Sequence, residues 1–115
     1  MTDWRRAAAD CLQQWQVGAE PDPAAVGVAV RLALAAFAES APGHSVEVRV
    51  PPYGAVQAVP GVRHRRGTPP AVVETDPRTW LALAVGQLSW VEATRQGDVW
   101  ASGERSDLSD LLPVA

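Results

Sequence analysis

Between residues 3 and 16 the apolar side chains of Trp4, Ala8, Cys11, Leu12 and Trp15 recur every three or four positions. That spacing lays them along one stripe of a helix with 3.6 residues per turn. Thr2 or Asp3 can cap its start, and Gly18 can end it. The next segment has a different pattern. Asp22 is a good N-cap, Pro23 suits the first helical position, and Pro42-Gly43 stops the helix. From Ala24 to Ala38 the residues are apolar on nearly every side, broken by Arg31. Such a helix lies in a core, lines an apolar cavity, or forms an oligomer face. Gly27 would let another backbone approach it, and the apolar run reads as too short to span a bilayer.

The period then changes to two. Val46, Val48 and Val50 alternate with Glu47 and Arg49, which predicts a strand with one wet face. Pro51-Pro52-Tyr53-Gly54 makes a turn, and residues 55–59 return as an antiparallel strand ended by Pro60-Gly61. Residues 62–70 are loop-like, and Ala71 to Thr75 form a third strand. Asp76 and Pro77 start a helix that Gly86 closes. Ser89 and Glu92 have the spacing of a capping box for a short helix reaching Gly97. A strand follows over 98–103, then a last helical turn or two capped by Ser106 or Asp107. Helix pair, strands, helix pair, strand and helix predict an α+β domain with helices packed on one face of a mainly antiparallel sheet.

Composition narrows the function. At 115 residues the chain is one domain, 1–115, with residues 1–18 as an N-terminal helix that can lie outside the rest of the core. The single cysteine, Cys11, precludes an internal disulfide and is simplest as a small buried apolar residue; a reducing cytoplasm is expected. The N-terminus has no apolar signal core, and Pro113-Val114-Ala115 matches no targeting signal. Lys, Ile and Asn are missing, while Ala, Arg, Gly and Pro abound, which points to a GC-rich genome such as an actinobacterium's. Without Lys there is no Schiff-base chemistry and no phosphate-loop lysine. The net charge of −3 argues against nucleic acid as a partner.

Candidate chemistries are few. His44 and His64 have no metal-ligand spacing, so no metal is expected. The serines have no G-x-S-x-G elbow, and Ser89 is accounted for as a cap. Glu74 and Asp76 would share one side of a strand and could serve as an acid/base pair. The structural alternative, with Asp76 a cap and Glu74 paired with an arginine, is the stronger one. Arg63, His64, Arg65 and Arg66 form either a solvated basic loop or a contact for an anionic group. Five Trp against one Phe and one Tyr supply core anchors, a ligand wall or interface anchors.

One ordered set of residues carries a resemblance. Asp76, Trp80 to Leu83, Gly86, Leu88, Ala93, Gly97, Val99 and Gly103 follow a strand in the order found in the C-terminal half of the sterol carrier protein 2 fold. Over about residues 24–114 the chain resembles the small actinobacterial sterol-carrier-like proteins. It is also similar to the C-terminal domain of mycothiol-dependent maleylpyruvate isomerases, whose metal belongs to a separate helical domain. The resemblance implies a sheet of about five strands, helices over one face, and an apolar tunnel between them. It implies non-catalytic carriage of a fatty acyl chain, sterol or acyl-CoA, with no cofactor. On that reading Val30, Leu34, Phe37, Val48, Trp80, Leu81, Leu88 and Trp100 line the cavity, and Arg63, His64, Arg65 or Arg66 meets a head group. The rival reading is an interaction or accessory domain with a filled core, binding another protein or a second copy of itself.

Overall fold

The computed structural model of the chain describes residues 3–61, 71–103 and 106–115. In chain order the elements are α1 (Trp4–Gln16), α2 (Pro23–Ser40), β1 (Val46–Val50), β2 (Gly54–Ala58), β3 (Ala71–Thr75), α3 (Pro77–Val85), α4 (Trp90–Arg95) and β4 (Val99–Ser102).

The helix starts are local chemistry. Asp3 accepts from the Arg5 amide, Asp22 from the Ala24 amide, and Ser89 from the Glu92 amide. Asp76 takes two hydrogen bonds from Thr79, through the amide at 2.9 Å and the hydroxyl at 2.7 Å. Each satisfies a donor that the first helical turn would otherwise leave orphaned. At 106–115 the expected helix is replaced by a turn: Asp107 accepts from the Ser109 amide at 2.9 Å, and the Leu111 amide donates to Leu108. The bonds from the Ser109 amide and then its side chain hold the Asp107 carboxyl below its ordinary pKa.

The sheet has four described strands in the order β2-β1-β3-β4. The β1–β2 and β3–β4 pairs are antiparallel, and β1–β3 is parallel. Among the described residues the sheet is therefore four-stranded rather than the roughly five-stranded one expected, and it is mainly antiparallel, as expected, with one parallel pair. The tight turn after Val50 forces β2 to run back along β1. The chain then returns to place Ala71 beside Val46, so β3 enters in the same direction as β1, the geometry of a crossover.

Alternation along the strands separates two faces. Val46, Val48 and Val50 of β1 and Ala71, Val73 and Thr75 of β3 are buried against the helices. The intervening Glu47, Arg49, Val72 and Glu74 face the other way and are half-buried. There Arg49 Nε bonds Glu47 Oε1 at 2.9 Å. That hydrogen bond and the charges of Glu47 and Glu74 hold the guanidinium proton more tightly than usual.

α2 is the central helix. Val26, Ala29, Val30, Ala33, Leu34 and Phe37 are buried. Its 18 residues average a hydropathy of 1.4, so by length and composition alone it could cross a membrane, contrary to the sequence expectation. Here it packs against α1, α3 and β2. What comes close to Gly27 is the Tyr53 ring and the Arg31 guanidinium, not the expected backbone. At the corner after α2 a side chain on Gly43 would collide with the Val59 carbonyl, so only glycine fits.

α1 docks on α2 and α3 through Ala8, Cys11 and Leu12. The C-terminal tail ties the same helices together. The Val114 amide donates to the Ala84 carbonyl of α3 at 3.0 Å, and its carbonyl accepts from Arg5 Nη2 of α1 at 3.3 Å.

Candidate functional site

Six of the residues expected to line a cavity belong to solid core. Val30, Leu34, Phe37, Val48, Trp80 and Leu81 are at most 1% exposed. Phe37 meets Trp80 edge-on, with centroids 5.7 Å apart and planes at 87°. Protein side chains therefore occupy the space between sheet and helices at these positions. Trp100 is elsewhere. It pairs with Glu74 in the β3–β4 register, so it stands on the sheet face opposite the helices, 59% exposed. Arg63, His64, Arg65 and Arg66 lie outside the described residues.

Leu88 is the exception. It lines two hollows at once. The larger is a solvent-open cleft of about 510 Å³. α1 contributes Leu12 and Gln16, and α3 contributes Arg78, Thr79 and Ala82. Gln87 comes from the link to α4, and Gln96 and Asp98 from its far end. Its apolar lining is Leu12, Ala82 and Leu88; the rest of the lining is polar, including the buried Thr79. The smaller hollow, about 220 Å³, is bounded by Trp90, Val91, Leu112 and Pro113. Here the surface is mainly apolar, and Val91 is 56% exposed. Leu88 borders both hollows, the more polar cleft on one side and the more apolar one on the other.

The cleft is built on fixed backbone. The Gln87 amide donates to the Ala82 carbonyl at 2.9 Å as α3 closes at Gly86. Asp98 is held from both sides: its amide donates to Ala93 at 3.0 Å and its carbonyl accepts from Thr75 Oγ1 at 2.7 Å. Sequence reasoning missed the cleft because its walls come from elements distant along the chain. Only Leu88 and the α3 residues carried a signal, through the glycine and leucine spacing.

Other nominated chemistry resolves locally. Asp76 is a cap, and Glu74 lies beside Arg49 on the outer sheet face, so the two carboxylates make no acid/base pair. His44 Nδ1 lies 2.9 Å from Gln57 Oε1. Among the described residues no three His, Cys, Asp or Glu side chains come together as metal ligands. Cys11 is 2% exposed, and burial, followed by the charge of Asp10, raises its thiol pKa.

Residues 22–114 match the family described as bacterial SCP ortholog. The chain belongs to that family. The match covers the sheet, α2 to α4 and most of the tail, so the sterol-carrier-like resemblance rests on the whole core. α1 lies outside it, and with α1 the Leu12–Gln16 wall of the cleft. No curated protein matches the chain.

Proposed function

We propose that this bacterial SCP ortholog is a non-catalytic binding protein that carries a lipid-like amphiphile, such as an acyl chain or a sterol, in the groove centred on Leu88. The observation that carries this reading is that a polar cleft and an apolar hollow both border one half-buried leucine. An amphiphile needs both ends, and the cleft alone falls in the range of small-molecule sites. Family membership supports the general class. The reading moves the ligand from the sheet–helix interface, which core side chains fill, to the end of the helix layer. The setting is a reducing cytoplasm, in keeping with the lone buried thiol.

A second reading has its own support. The filled interior, with Trp100 and Val91 exposed, also suits an accessory domain that docks on another protein or on its own copy. Native mass spectrometry of the purified protein separates the two. Co-purified lipid, or a one-to-one complex after adding a dodecyl-chain amphiphile, supports carriage. A protein that ignores every such ligand, yet is recovered as a dimer, supports docking.

A further inference from the structure

The polar end of the groove has a chemical bias. Three carboxamides, Gln16, Gln87 and Gln96, line it from three separate elements. Each offers an acceptor oxygen and an amide donor. A hydroxyl group likewise both donates and accepts, so hydroxyls can pair with carboxamides without stranding either partner. A carboxylate or phosphate only accepts. It could use only the amide donors of the three carboxamides, whereas a hydroxyl can use their oxygens as well.

Charge points the same way. Asp76 and Asp98 bring two carboxylates to the cleft against the single guanidinium of Arg78. Both Asp76 oxygens already receive hydrogen bonds from Thr79, so Asp98 is the carboxylate left to accept from a ligand. An anionic head would meet net negative charge, which opposes it. The floor of Leu12, Ala82 and Leu88 suits the C–H face of a sugar ring.

Resting on the amphiphile reading, we propose that the cleft selects an uncharged, polyhydroxylated head group, of glycosyl type, carried on an apolar tail. The Gln16 wall comes from α1, outside the family match, while Gln87 and Gln96 lie within it.

The test uses the full chain and dodecyl probes below their micelle concentrations, followed by calorimetry and amide chemical shifts. Dodecyl maltoside should bind roughly tenfold tighter than dodecanoate, with shifts at Gln16, Gln87 and Gln96. Q16L and Q96L change exposed side chains, so both should fold. Each should weaken the maltoside by roughly fivefold, about one hydrogen bond's worth, and leave dodecanoate unchanged. Dodecanoate binding as tightly as the maltoside, or a maltoside indifferent to both substitutions, overturns the head-group proposal while the groove still binds amphiphiles. Free maltose binding as tightly as dodecyl maltoside overturns the tail and upholds the hydroxyl preference. Failure of every dodecyl probe overturns both.

Discussion

Trp80 holds the centre of the core at 1% exposure, yet its indole Nε1 has no hydrogen-bond partner among the described residues. A buried donor left unpaired costs about 1–3 kcal/mol. Phe37→Ala removes the ring that abuts Trp80 and should cost about 3–5 kcal/mol in urea unfolding. Trp80→Phe loses ring volume but also removes the orphan donor, so it should cost less than Phe37→Ala; a larger loss would show that the indole N–H is satisfied in solution. Cys11 gives a pH prediction. Burial raises its folded pKa, so the fold keeps the proton to higher pH than the unfolded chain does. Its contribution is intact below the unfolded thiol pKa and disappears as pH rises through the folded value. Stability should fall at alkaline pH, and Cys11→Ala should flatten that fall in pH-dependent melting curves. The residue scale is also where the sequence was most legible. Asp22, Asp76 and Ser89 cap helices as expected because a cap needs only its next few neighbours. The facing of Trp100 was not legible. Alternation says that it opposes Val99, but not which of the two faces the helices cover.

Among the elements, α3 organises the groove. It supplies Arg78, Thr79 and Ala82, anchors the tail through Ala84, and ends on Gly86 at φ 89°. Asp76→Ala removes its cap and should cost about 1–2 kcal/mol. Gly86→Ala forces a side chain into the left-handed region and within 3.3 Å of Pro113, so it should cost about 1 kcal/mol or more. Because Pro113 also bounds the apolar hollow, Gly86→Ala should weaken amphiphile binding. Thermal denaturation paired with calorimetry checks both. Strand direction was the weakest part of the sequence reading at this scale. The Val46–Val48–Val50 alternation looks the same in a parallel or an antiparallel pair. Direction is set by where each strand begins: β2 ends at Ala58 beside Val46, and β3 begins at Ala71 on the other side of Val46, parallel to β1.

For the whole molecule, the two candidate ligand locations make opposite predictions. Leu88 is half-buried on the surface groove, and Val48 is fully buried inside. Leu88→Ala should weaken dodecyl amphiphile binding severalfold, at a stability cost of about 1–2 kcal/mol for a partly buried leucine packed on the core. Val48→Ala should lower stability by about 1–3 kcal/mol and leave the affinity unchanged. Affinity that follows Val48 and ignores Leu88 would return the ligand to the space between sheet and helices. Calorimetry and urea unfolding on the two variants decide it.

The sequence by itself determined helices α1 to α4, their caps, the alternating strands and the sterol-carrier-like kinship, because each is written in neighbouring residues or in a short ordered set. Tertiary structure alone decided that Val30, Leu34, Phe37, Val48, Trp80 and Leu81 are buried core and that Gln16, Gln87, Gln96 and Leu88 line one cleft. Packing density and convergence depend on how distant segments meet. No local period carries that information, so α1 and the end of α4 could be placed on the same cleft only once the chain was folded.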